Sequence, residues 1–184
     1  LSYEKADELK ETPELKPLFN IAEKNEAKRK ESGAVFINLP EVHIDLEKVD
    51  DSPVPNVKIF AMENKPQSCD VVREFMLLAG EAAAKYAFKN QIAFPFISQP
   101  SPAIPKDLPE GLAGQYRLRR SMRSRSVGVS PAAHAGLGLG MYSQVTSPLR
   151  RYSDLIAHQQ LRAHLNHSPL LDKDTMLERI SAGD

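Results

Sequence analysis

The sequence predicts a mixed α/β fold in which short antiparallel strands pack against several helices. Three observations point there: a 23-residue stretch with helical apolar spacing, "SCDVVREFMLLAGEAAAKYAFKN"; short alternating segments between residues 33 and 62; and prolines that interrupt the middle of the chain. At 184 residues and 41% apolar composition, the chain can bury one real core.

The elements follow in order. "SYEKADELKE" and "ELKPLFNIAEKNEAKRKES" read as two charged helices, the second closed by Gly33, with Leu15, Leu18 and Ala22 on one narrow inner face. "GAVFINL", "VHIDLEK" and "VKIFAME", separated by Pro, Asp and Ser, predict a small β-meander. The long helix turns Val71, Phe75, Leu78, Ala79, Ala82 and Tyr86 to one side, puts Glu74 and Glu81 on another, and has Ser68 or Asp70 as cap. Five of the 14 prolines fall in residues 95–109, which excludes a continuous helix or a central strand and predicts an extended connection. "HAGLGLGMYSQVT" reads as a strand. In "VTSPLRRYSDLIAHQQLRAHL", Ser147 is the expected N-cap, Pro148 the first helical residue, and Leu149, Tyr152, Leu155, Ile156 and Gln159 the inner stripe. "DKDTMLERI" reads as a last helix.

The net charge of zero hides an asymmetry: residues 1–114 are acidic overall, whereas residues 115–165 hold eight arginines, no lysine and one acid, Asp154. Arg suits bidentate phosphate contacts, so a polyanion is the favoured partner of that region. The lone Cys69 excludes a disulfide framework and a Cys-based metal site. No apolar run reaches the roughly 20 residues of a membrane span and no signal-peptide pattern is present, so a cytoplasmic protein without a membrane partner is expected. The first residue is Leu1, which suggests a piece of a longer polypeptide. Oligomeric state has no signature.

Arg150 and Arg151 fall in the first turn of their helix, beside backbone N–H groups that have no helical partner. Together these make an anion site. Spacing alone leaves open whether the arginines bind phosphate or pair with acids elsewhere; Asp154 is placed to hold one of them, with His158 a turn further on. Arg117, Arg119, Arg120, Arg123 and Arg125 alternate with small and apolar residues and could follow a nucleic-acid backbone or form a solvated face. "GLGLG" lacks the third glycine of a dinucleotide loop, Met141 standing there, and close backbone approach accounts for it better. The histidines do not form a zinc spacing. "EKVDD" is the only tight acidic group and reads as a solvated loop, so the chain offers phosphate holders without metal holders.

"GLGLGMYSQVTSPLRRYSDLIAHQQLRAHL" resembles the signature of the ribonuclease II (RNB) family of exoribonucleases. "LSYEKADELKE", "ESGAVFINLPEVHIDL" and "VVREFMLLAGEAAAKYA" resemble its upstream segments in the same order. The resemblance implies an RNB catalytic domain of which residues 1–184 are the C-terminal portion. It also implies hydrolysis of single-stranded RNA from the 3′ end to nucleoside 5′-monophosphates, with Mg²⁺ held by aspartates that precede Leu1 in the remainder of the same protein. Arg150 would contact the phosphate at the cleavage point as the catalytic residue, with Arg151 beside it. Phe36 would clamp the terminal base, and Tyr3 and Glu74 would read the ribose; Arg123 and Arg125 of the arginine run complete the substrate-binding set. The departures are Arg73-Glu74 for the family's double acid, Gly80 for its Asn, Gln144 for a usual His, and a shortened, proline-rich stretch after Phe88. The alternative is a non-catalytic RNA-binding relative.

Overall fold

The periodicity of the long apolar stretch is realised as helix α3 (Gln67–Lys89) in a computed structural model that describes residues 1–40, 42–48, 54–61 and 65–183. Before it come α1 (Tyr3–Glu8), α2 (Lys16–Glu31) and the strands β1 (Val42–Glu47) and β2 (Asn56–Ala61). After it come β3 (Phe96–Ser98), α4 (Gly111–Ser121), β4 (Ser126–Gly128), a 3-10 turn (Ala135–Leu137), α5 (Tyr152–Leu165) and α6 (Lys173–Gly183). The strands form two antiparallel pairs, β1 with β2 and β3 with β4, which is the expected mixture of helices and short strands.

Where the expected meander had three strands, the described residues form a two-stranded hairpin. Ile44 faces Ile59 and Leu46 faces Val57 across it, and both of its surfaces are exposed. "GAVFINL" forms no strand, and Val35 N–H donates to Gly136 O at 3.0 Å.

Helix α3 does not bury its predicted stripe. Glu74, Leu77, Gly80, Ala84 and Ala87 face inward, whereas Ala79, Ala82 and Tyr86 are exposed. Glu74 supplies the reason. It has no exposed surface, and a buried carboxylate persists only where donors surround it. Arg29 Nε and Asn25 Nδ2 donate to its Oε2 at 2.9 and 2.8 Å, while Arg29 Nη2 and Arg73 Nε donate to its Oε1, the latter at 3.1 Å. To bring Asn25 and Arg29 to this point, α2 buries Phe19, Ala22, Asn25 and Arg29, which leaves Leu18 exposed. The apolar side chains displaced from the core, Leu18, Val71, Val72, Phe75, Met76 and Ala79, line an open groove of about 400 Å³. The cap of α3 is also tertiary: Gln67 and Ser68 donate their N–H groups to the Asp7 carboxylate at 2.7 and 2.8 Å, in place of a cap from Ser68 or Asp70.

The core centres on residues 92–97, all buried. Phe94 and Phe96 meet edge-on at 6.0 Å and pack with Ala84, Ala87 and Ala157; Ile97 joins Leu77, Leu139 and Tyr142. Ala93 and Ile156 pack against Met176 and Ile180 of α6. The proline-rich connection thus opens with a short buried strand of a two-stranded sheet, and no continuous helix or central strand forms there, as its proline content requires. Gln160 ties α5 to this run, donating to Ala93 O at 2.9 Å and accepting from Leu171 N–H at 3.0 Å. "HAGLGLGMYSQVT" forms the 3-10 turn rather than a strand. Gly138 there has φ +65°, and a Cβ would lie 2.6 Å from Arg29 O, so the glycine permits a left-handed bend and a close approach to α2.

Candidate nucleic-acid interface

The segment "TSPLRR" precedes α5 instead of opening it. Arg150 and Arg151 both donate backbone N–H bonds to Ser147 O, at 3.2 and 3.0 Å, which closes a turn before the helix starts at Tyr152. Ser147 is therefore not the N-cap; Arg151 occupies that position without a side-chain cap bond. The buried Asp154 fastens turn to helix, accepting from Ser147 N–H at 2.8 Å and from Arg151 through Nε (2.9 Å) and Nη2 (2.8 Å). Arg151 Nη2 also donates to Thr146 Oγ1 at 3.3 Å. Burial of Asp154 rotates the helix: Ile156 is buried as expected, with Ala157 and Gln160, while Leu149, Tyr152, Leu155 and Gln159 of the predicted stripe are exposed.

The two arginines consequently part company. Arg151 sits in a fork-to-fork pair with a carboxylate and stabilises the turn. Arg150 is exposed, and its guanidinium has no hydrogen bond or ion pair among the described residues. Both line a cleft of about 180 Å³ with Arg125, Gln144, Tyr152 and Ser153, closed by Ile180 and Gly183 of α6. Arg125, which immediately precedes β4, likewise has no side-chain partner among the described residues. Among the described residues, no carboxylate lines this cleft. Tyr152 and Ser153 begin α5, and first-turn N–H groups lack helical acceptors, so the helix adds its positive end to the guanidinium charges.

Gln144, Tyr152 and Ser153 were not among the expected site residues. The signal for the last two was proximity to Arg150; for Gln144 it was its place just before "TSPLRR", where the resembled family usually has a His. The Oε1 atom of Gln144 is buried and has no hydrogen-bond partner among the described residues.

The other expected residues lie apart from this cleft's lining. Arg123 is exposed, and its backbone O accepts from Gln99 Nε2 at 2.6 Å. Phe36 is half-buried and has three cations about its ring, Lys30 at 5.0, Arg29 at 5.1 and Arg73 at 5.9 Å from the centroid. Tyr3 is half-exposed on α1, its backbone O accepting from Ser68 Oγ at 2.8 Å. Glu74 requires a correction. Each of its oxygens already accepts two protein hydrogen bonds, so it is the hub of a buried network and has no free lone pair for a ribose hydroxyl. Burial alone would raise its pKa, but Arg29, Arg73 and Asn25 more than offset that and hold the carboxyl below its usual range.

Carboxylates do gather near Glu74, but around a cation. Arg73 binds Asp70 at 2.5 Å, Glu26 at 2.7 Å and Glu74 at 3.1 Å. Those oxygens are engaged, and no group of three or more His, Cys, Asp or Glu among the described residues is placed to hold a metal ion. The residues described here therefore do not fit a Mg²⁺ site. Of "EKVDD", residues 49–51 lie outside the described residues. His134 has its Nδ1 buried without a partner among the described residues and its ring edge-on to Tyr142 at 5.8 Å. Burial keeps its pKa below the ordinary imidazole value, with Arg125 acting in the same direction. No described helix is long and apolar enough to cross a membrane.

Comparison with known proteins places this geometry. The chain is 39% identical over 180 residues to an uncharacterized ribonuclease of Synechocystis, covering 92% of this chain and 26% of that protein. It is 34% identical over 175 residues to the chloroplastic/mitochondrial ribonuclease II of Arabidopsis thaliana, covering 90% and 22% respectively. It therefore spans about a quarter of the length of these relatives. An active-site mutant of the Dss1 exoribonuclease from Candida glabrata shares the fold, with a TM-score of 0.79 at 23% identity over 97% of this chain and 26% of that one. Residues 1–108 and 109–167 match the RNB domain, so the cleft before α5 lies in a chain that belongs to the RNB domain family.

Proposed function

We infer that the complete protein carrying this chain is a 3′→5′ exoribonuclease that hydrolyses single-stranded RNA to nucleoside 5′-monophosphates. In this reading residues 1–184 are the C-terminal portion of its RNB catalytic domain and supply groups that hold the substrate. One observation carries it: in an RNB-family chain, Arg125 and Arg150 line one cleft in which, among the described residues, they have no hydrogen-bond or ion-pair partner and no carboxylate joins the lining. A phosphodiester matches such a cleft, because its oxygens accept the forked N–H bonds of guanidinium and its charge offsets theirs. The relatives' names, ribonuclease and exoribonuclease, agree with RNA as that polyanion and with attack from an end.

Within this reading, Arg150 contacts the phosphoryl oxygens at the cleavage point and stabilises the charge that builds as the bond breaks. Arg151, clamped to Asp154, holds the turn that presents Arg150. Arg125 and Arg123 follow the RNA backbone, Phe36 stacks on a base and Tyr3 lies by a ribose. Mg²⁺ belongs to carboxylates in the remainder of the same protein. Cytoplasmic location is proposed from the lone Cys69, which suits a reducing compartment.

In the complete protein, Arg150→Ala should lower turnover of single-stranded RNA by about 100- to 1,000-fold while changing RNA affinity only a few-fold. Wild-type turnover in that variant would sink the assignment. With 5′-labelled single-stranded RNA and Mg²⁺, short labelled ends are expected. RNA that is bound but left whole would establish the non-catalytic relative instead.

A further inference from the structure

We propose that Gln144 is a substrate-positioning residue of the basic cleft: its amide accepts a hydrogen bond from Arg150 and donates one to a phosphoryl oxygen of the RNA that Arg150 holds. This rests on the phosphate reading of the cleft given above. Gln144 and Arg150 line the same cavity of about 180 Å³. Among the described residues, the Gln144 Oε1 is a buried acceptor without a donor, and the Arg150 guanidinium is a set of donors without an acceptor. Buried acceptors are rarely left unmade, and an exception in a functional cleft marks a group that a ligand or a moving side chain satisfies. Arg151 commits its Nε and Nη2 to Asp154 and Thr146, which fixes its guanidinium and leaves only Nη1 over, whereas every N–H of the Arg150 guanidinium is uncommitted among the described residues.

The type of acceptor matters as much as its place. A carboxylate, as Asp154 does for Arg151, orients a guanidinium and offsets its charge. An amide orients it and leaves the full charge directed at the phosphate. The same amide carries N–H bonds beside its carbonyl, so one side chain can bridge guanidinium and phosphoryl oxygen. The segment is braced on both sides: Ser143 Oγ donates to Pro95 O at 2.6 Å, and Val145 O lies 2.6 Å from His158 Nε2. A rigid support is what positioning within a cleft requires.

The test uses the complete protein, single-stranded RNA and Mg²⁺, with thermal unfolding recorded for each variant. Gln144→Leu should lower kcat about 10- to 100-fold with KM within about threefold. Gln144→Glu should be at least as slow, because it neutralises Arg150 and repels phosphate. Gln144→His should regain part of the turnover, since neutral imidazole both accepts and donates. It should also acquire an acid limb at about pH 6.5 that the wild type lacks, because imidazolium cannot accept from Arg150. Gln144→Leu added to Arg150→Ala should cost little more than Arg150→Ala alone. A folded Gln144→Leu protein with wild-type kcat, or losses that multiply in the double variant, would overturn the proposal. If Gln144→Leu does not fold, a Gln144→His profile identical to that of the wild type overturns it equally. Should Arg150→Ala itself turn over normally, the phosphate reading fails first. If Arg150→Ala is slow and Gln144→Leu is not, only the assignment of Gln144 fails.

Discussion

Glu74 shows how one buried charge organises its surroundings. It has no exposed surface, and Arg29, itself 4% exposed, meets it through two nitrogens. Deleting one member of such a pair strands the other, so Glu74→Ala should destabilise the chain by about 3–5 kcal/mol in urea unfolding. Loss of less than about 1 kcal/mol would mean that the network is solvated and the buried hub is wrong. The same residue sets an acid limit. Its folded pKa lies below the unfolded value, so its stabilising effect is complete above the ordinary carboxylate range of about 4.3 and is lost as pH falls through the lower folded value. His134 acts at a higher pH in the same sense. Because burial depresses its folded pKa, the unfolded imidazole takes up a proton first, and stability declines as pH drops below about 6.5. Urea midpoints should therefore be flat above pH 7 and fall in two stages in acid, and His134→Phe should remove the first stage only.

Helices can be located from the sequence more readily than they can be oriented. Apolar spacing located α2, α3 and α5, and of the expected caps only Gly33 holds, ending α2 in the left-handed conformation that a stop requires. The expected inner faces were rotated in all three, though Ala22 and Ile156 are buried as expected, for one physical reason. An amphipathic pattern counts Glu, Arg and Asp as outward, but Glu74, Arg29 and Asp154 are buried in bonds to one another or to the backbone and rotate their helices accordingly. Each such partner is distant in sequence or belongs to a turn, so no window along one helix reveals it. The prolines were read correctly as excluding a central strand, and Pro95 is buried next to the short β3 of a two-stranded sheet. The corrected orientation of α5 is testable with neighbours: Ile156→Ala should destabilise by about 2–5 kcal/mol, and Leu155→Ala by less than about 1 kcal/mol. Equal costs at the two positions would restore the stripe read from spacing alone.

At the scale of the whole molecule, a net charge of zero says little about a partner, whereas its distribution says a good deal. The arginine-rich segment wraps through α4, β4 and the turn before α5, and it delivers Arg125 and Arg150, 25 positions apart in sequence, to one cleft. That convergence was not legible beforehand, because it depends on how β4 pairs with β3 and how α6 closes against Ile156. The individual arginines were legible. If these groups meet RNA phosphates, binding releases counterions, and the logarithm of the affinity falls linearly with the logarithm of salt, each phosphate contact adding about 0.7 to the slope for single strands. In the complete protein, Arg125→Ala and Arg150→Ala should each take about 0.7 from that slope. Arg162→Ala, an exposed arginine in the last turn of α5 and absent from the cleft lining, should leave it unchanged. Equal slopes for all three variants would make the charge a diffuse solvated face, whereas a change confined to the cleft pair ties the RNA backbone to the geometry before α5.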